Sequence, residues 1–386
     1  MSRQHARGGR GLAAALLAVV LAGCGSDGYE PAGPFRPQPE GPPPQVGPPT
    51  ESPQAPAPGD PADPESEEEA GDPNVVASGL TVPTGVVVLP DGSAVVGERE
   101  TGRLLQVFPD RSPARELMTV GGIDTAGDGG LLGLAISPTF TEDGLFYAYV
   151  STATDNRVVR FPMGGTPNPV LTGIPRGETH NGGGLVFAPD GTLFVGTGDT
   201  GNAGLAQDPA SLAGKVLHVD VFGRPVGAGP VHSSGHSDVT ALCLGGEQSL
   251  YATDDSAQGP DELDAVTEGG DAGWPAADPD STDPVVEFDS AEGGLAGCAV
   301  AGRTFFLGAL DGRRIHTVQL DSSGAVIEEP AEFLTDRYGR LRTVVLDSEG
   351  ALWITTSNRD GQGTPTADDD RVLRIIPPTS TGSSPL

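Results

Sequence analysis

Gly184-Leu185-Val186-Phe187-Ala188-Pro189-Asp190-Gly191-Thr192-Leu193-Phe194-Val195 reads as an apolar strand, a tight turn and a second apolar strand. An aspartate in such a turn hydrogen-bonds the backbone two residues on, and the glycine supplies a positive φ, so the stretch closes as a hairpin. The unit recurs at 85–96, at 134–138 with 145–150, at 242–244 with 249–252, at 298–300 with 304–307, and at 344–354. A third apolar strand follows each hairpin, at 102–107, 156–161, 214–219, 261–266, 313–318 and 370–375. Six copies with two-residue alternation and almost no helical periodicity predict an all-β chain folded as a six-bladed β-propeller.

The propeller accounts for 73–378. Ahead of it, Arg3, Arg7 and Arg10 precede an apolar run ending in Leu21-Ala22-Gly23-Cys24, the pattern of a secretory signal with a lipobox. Residues 1–23 are expected to be removed and Cys24 to carry lipid. Gly25 and Ser26 lack the aspartate that retains lipoproteins at an inner membrane, so an outer-membrane anchor facing the periplasm or cell surface is expected. Residues 24–72 are rich in Pro, Gly and Glu and read as a disordered tether; 379–386 read as a flexible tail. A net charge of −31 repels nucleic acid and anionic lipid, leaving the lipid anchor as the only membrane attachment. Cys243 and Cys298 either pair in an oxidising compartment or stay as buried thiols.

In a propeller the first strand of every blade runs along the central channel. The residues just before those strands, Asp128, His180, Ser237 with Asp238, and Arg340 with Arg342, therefore converge on one mouth. The loops 198–214, 254–260 and 357–370 rim it. His180 stands among glycines in Glu178-Thr179-His180-Asn181-Gly182-Gly183-Gly184, where a flat ligand can approach and an imidazole can act as general base. Arg340 and Arg342, at i and i+2, present a fork for carboxylates or an oxyanion. Asp199, Asp254 and Asp255 are either turn formers or calcium ligands, turn forming being the commoner use. The absence of zinc-ligand spacing, a phosphate-cradling loop and a nucleophile elbow argues against a zinc enzyme, a nucleotide enzyme and a triad hydrolase.

Several motifs then combine in order: Gly129-Gly130-Leu131-Leu132-Gly133-Leu134, His180-Asn181-Gly182-Gly183, Gly196-Thr197-Gly198-Asp199, Leu212-Ala213-Gly214-Lys215-Val216-Leu217, Gly269-Gly270-Asp271-Ala272-Gly273-Trp274-Pro275 and Tyr338-Gly339-Arg340-Leu341-Arg342. On these the chain resembles the quinoprotein glucose/sorbosone dehydrogenase family of soluble aldose sugar dehydrogenases. The resemblance implies pyrroloquinoline quinone (PQQ) over the channel mouth and oxidation of an aldose at its anomeric carbon to a lactone, with an electron acceptor the sequence does not specify. It implies His180 as general base, with Asp128 and Arg342 beside it as catalytic residues. Arg340, Arg342, Asp199, Thr200 and Asp238 become the cofactor contacts, and Ser256 and Ala257 hold calcium by their backbone carbonyls.

The chain departs from the family's Gly-His-Arg-Asn at Gly235-His236-Ser237-Asp238, and it carries Asp311 where the family usually has a basic residue. These changes remove two cations and add two carboxylates, which should weaken binding of a tricarboxylate. Arg313 and Arg314 are the nearest cations to stand in. A non-catalytic binding propeller and a calcium-dependent lactonase-type hydrolase remain the alternatives.

Overall fold

A computed structural model of the protein describes residues 71–378 apart from Ala257 and Asp278. Cys24, the signal, the tether through residue 70 and the tail at 379–386 lie outside the described residues. No helix among the described residues is long and apolar enough to cross a membrane.

Six antiparallel sheets form the blades. Their innermost strands are Pro83–Val88, Leu131–Ile136, Leu185–Phe187, Val239–Leu244, Leu295–Ala301 and Leu341–Leu346. These six strands line a central channel of about 410 Å³. The hairpin turns form as the sequence dictates: Gly92 and Gly191 have φ of 83° and 85°, and the Asp91 and Asp190 carboxylates accept the Ser93 and Thr192 amides at 3.0 and 2.9 Å.

Each blade has four strands where the sequence showed three, and blade 3 adds Gly270–Asp271 in parallel to Val231–Ser234. The missed strands are outer ones such as Arg115–Thr119, whose side chains are exposed or half-buried, so no apolar run marks them. The sixth blade takes its outer strand from the other end of the domain, Val75–Ala77 pairing with Val372–Ile375, and this closes the ring.

The core lies between blades rather than at one centre. Val87, Val95 and Leu104 of blade 1 pack on Leu131 and Phe146 of blade 2, and equivalent clusters fill the other five seams, down to Trp353 against Val86 and Val96. Each such side chain removed from water contributes roughly 1.5–3 kcal/mol. Cys243 and Cys298 are joined as a disulfide between the inner strands of blades 4 and 5, Cα atoms 5.8 Å apart, settling the choice the sequence left open.

Candidate functional site

The segment that turns into blade 3 is pinned from every side. His180 has φ 51°, in the left-handed region. The Asn181 carbonyl accepts from the buried Tyr149 hydroxyl at 2.8 Å, and its amide oxygen accepts from Asn156 Nδ2 and the Gly177 amide, each at 3.0 Å. The Gly182 amide donates to Asp238 Oδ1 at 2.7 Å. A Cβ on Gly198 would overlap both the His180 carbonyl and the Asp238 carboxylate, so the segment carrying Asp199 can approach this turn only through glycine.

His180 Nδ1 meets Asp199 Oδ1 at 2.9 Å. Asp199 is itself held by the Gly201 amide at 2.7 Å and, on its other oxygen, by Trp274 Nε1 at 2.9 Å. Nε2 of His180 has no partner among the described residues. The Asp199 hydrogen bond, against the opposing effect of burial, raises His180 to about 9, with the Asp238, Asp199 and Asp255 charges adding to it. Thr200 backs the arrangement: its amide donates to the His180 carbonyl at 3.0 Å and its hydroxyl to the Asp199 carbonyl at 2.6 Å.

Next to this turn a concave mouth of about 110 Å³ opens over the channel. Asp128, Asp238, Arg340 and Arg342 reach it as the topology requires, and Arg99, Asp255, Asp311 and Asp360 join them. Arg340 is doubly engaged, donating through Nη1 to Asp311 and through Nε to Asp360 at 2.9 Å. Burial works against its charge, yet Asp360 and Asp311 hold the guanidinium above its ordinary value. Arg342 makes no hydrogen bond or ion pair among the described residues; burial, and then Arg99, push it below its ordinary value. Arg99 reaches Glu100 at 3.1 Å and Asp128 at 3.9 Å, but its buried Nε has no acceptor. Burial raises Asp238 to about 7, against the pull of His180 and the Gly182 amide.

The changed Gly235-His236-Ser237-Asp238 turn is fastened by Asp254, which accepts the Ser237 and Asp238 amides at 3.0 and 2.6 Å and His236 Nδ1 at 3.2 Å. His236, Asp254 and Asp264 form the one His/Asp/Glu/Cys group with metal-ligand spacing among the described residues. The two carboxylates hold His236 up at about 9 despite full burial, so an imidazolium already balances part of their charge. Asp254 is therefore an anchor of the turn, whereas Asp255 faces the mouth, its carboxyl raised by burial and by Asp261. The Ser256 amide donates to Asp261 Oδ1 at 2.7 Å; Ala257 lies outside the described residues. Neither candidate stand-in serves the mouth: Arg313 pairs with Asp336 at 2.8 Å, and Arg314 pairs with Glu332 and Glu292.

Sequence reasoning missed Arg99, Asp311's grip on Arg340, and Asp360. Arg99 follows directly on the second strand of blade 1, Ala94–Glu98, in a turn so short that loop length did not mark it. Its place on the rim followed from the topology and could have been read from it. Three arginines and five aspartates line the concavity; with Asp311 and Asp360 turned to Arg340, the donors left on Arg342 and Arg99, one of them a buried nitrogen that nothing else satisfies, are those that would take an anionic ligand.

Residues 80–365 match the Glucose / Sorbosone dehydrogenase family model. The PQQ-bound aldose sugar dehydrogenase from Streptomyces coelicolor is 37% identical, with TM-score 0.76 over 78% of this chain and 96% of that one. A glucose dehydrogenase-type oxidoreductase from Thermus thermophilus is 32% identical, with TM-score 0.72 over 78% and 98% of the two chains. Quinoprotein glucose dehydrogenase B from Acinetobacter calcoaceticus is 26% identical over 258 residues, 55% of this chain and 54% of that one. A six-bladed ring, a histidine turn locked to a buried aspartate and a match across three quarters of the chain thus agree, and the chain belongs to the glucose/sorbosone dehydrogenase family of oxidoreductases.

Proposed function

We propose that the protein oxidises an aldose at its anomeric carbon to the lactone, using PQQ, with His180 as general base. The observation that carries this reading is the His180–Asp199 pair at 2.9 Å beside a mouth where, among the described residues, the Arg342 guanidinium is unpaired and Arg99 keeps an unsatisfied Nε. When bound, the quinone supplies the two-electron acceptor for hydride leaving the sugar carbon. Everything else falls to side chains of this chain. Asp199 keeps the Nδ1 proton in place, which fixes the tautomer, leaves the Nε2 lone pair for the anomeric hydroxyl proton, and stabilises the imidazolium that results. Arg342 and Arg99 supply positive charge for the ligand's carboxylates, and Asp128 at the rim is positioned for sugar hydroxyls.

A calcium ion held in part by the carbonyls of Ser256 and Ala257 belongs to the proposal, because a cation beside Asp255 and Asp238 offsets charges that now raise His180. A neutral imidazole is what a base requires, and offsetting those charges increases its share. Lipidation at Cys24 holds the domain outside the cytoplasm on its tether, and a small aldose is the substrate.

The test is reconstitution of the protein with PQQ and calcium, followed by aldose-dependent dye reduction. The reading predicts activity that drops roughly 10²–10⁴-fold in His180→Ala, the usual contribution of a general base. Activity that survives the change would remove His180 from the role. A binding propeller without redox function is the second reading, favoured by Asp311 occupying Arg340, and failure to take up the quinone would support it.

A further inference from the structure

The mouth holds three arginines and spends them unequally. Arg340 is engaged on two sides: Asp360, itself buried, takes Nε at 2.9 Å, and Asp311 takes Nη1. A ligand carboxylate reaching for Arg340 must share its guanidinium with Asp311, a charged partner already in contact. Arg342 has nothing to displace; it shares the concavity with Arg99, a like charge, whose mouth-lining partner Asp128 stands off at 3.9 Å. Two cations kept close in a half-buried concavity repel each other until an anion bridges them. The Glu100 and Asp128 carboxylates near Arg99 are about half exposed, at 43% and 50%, so water screens their hold on its guanidinium.

We propose that Arg99 and Arg342 form the anion-binding subsite of this mouth, and that Asp311, with Asp360, withholds Arg340 from the ligand and sets its affinity. The proposal rests on the quinone reading for the ligand's identity but not for the subsite itself, which requires only a flat carboxylate-bearing anion.

Binding is read as a dissociation constant, by quenching of tryptophan fluorescence and by equilibrium dialysis, with PQQ plus calcium as one probe and benzene-1,3,5-tricarboxylate as a second that has no quinone. Arg342→Gln and Arg99→Gln should each weaken both probes about tenfold or more, the scale of one charge-assisted contact. Arg340→Gln should change either constant less than about threefold, and Asp311→Asn should tighten both by about tenfold as Arg340 is released. Because Arg340→Gln leaves Asp360 buried without its partner, Asp311→Asn is the decisive variant; it keeps the Asp360 bond and the fold. Equal losses in Arg340→Gln and Arg342→Gln, or weaker binding in Asp311→Asn, would overturn the assignment. Binding of the tricarboxylate with the stated variant pattern, but none of PQQ, would uphold the subsite and reject the quinone; binding of neither would reject both.

Discussion

Replacing Asp199 by asparagine changes one atom and tests how the histidine is set. Oδ1 of Asp199 accepts from His180 Nδ1 and the Gly201 amide, while Oδ2 accepts from Trp274 Nε1. An asparagine can keep its oxygen toward His180 and Gly201 only by turning its NH2 against the Trp274 N–H, two donors facing each other. The variant therefore loses the negative charge and one good hydrogen bond. His180 stands at about 9 against an ordinary 6.5, with the Asp199 hydrogen bond the largest cause, so losing the carboxylate should lower it toward 6.5. The group's folded value is raised, so its contribution to stability is fully present below pH 6.5 and is lost as pH rises through about 9. The difference in thermal midpoint between wild type and Asp199→Asn should accordingly be largest near pH 6 and narrow above pH 9, leaving the pH-independent cost of the Trp274 clash. NMR titration of the His180 ring, assigned by its loss in His180→Gln, measures the shift directly. A wild-type value near 6.5, or an unchanged value in Asp199→Asn, would refute the pairing as the cause.

Four further outcomes follow from the same structure. Gly198→Ala should abolish ligand binding while the sheets persist by circular dichroism, because its Cβ overlaps the His180 carbonyl and Asp238. Lys215→Met should lower stability by at least about 3 kcal/mol in urea unfolding, since Nζ satisfies the buried carbonyls of Leu205, Ala206 and Ala213 at 2.6–2.9 Å. Removing the Cys243–Cys298 bridge, which spans a sequence separation of 55, should cost about 4 kcal/mol by loop entropy, measured as the difference between the oxidised protein and a Cys→Ser double variant. Deleting residues 71–79 should lower the thermal midpoint by stripping the closing strand and Val76 from the seam beside Trp353; an unchanged midpoint would show that the ring closes without it.

The fold was legible because the inner three strands of each blade are buried between neighbours and must be apolar, as Ala94–Glu98 and Leu145–Ser151 are. Outer strands meet water, so Arg115–Thr119 and Ala331–Phe333 carry no such mark. Asp128, Asp238 and Arg340 reach one mouth from just ahead of inner strands and Arg342 from the start of one, as topology implies, whereas Ser237, expected there on the same ground, is buried in its turn and does not line the mouth. Which charge pairs with which did not follow, since that depends on side-chain reach across blades. Asp311 and Arg340 are 29 residues apart and meet only through ring geometry, and Arg99 reaches the same mouth from the first blade. The consequence is a site whose cations differ in availability, a property carried by neither arginine's own sequence context.

We propose that an aldose is oxidised at this mouth by a quinone. The most direct test is absorbance of the full chain loaded with PQQ and calcium, before and after anaerobic addition of an aldose. Saturable uptake of the quinone is expected, followed by bleaching of its oxidised spectrum in proportion to lactone formed, with no bleaching in His180→Ala. Uptake without bleaching by any aldose, or no uptake at all, would contradict it.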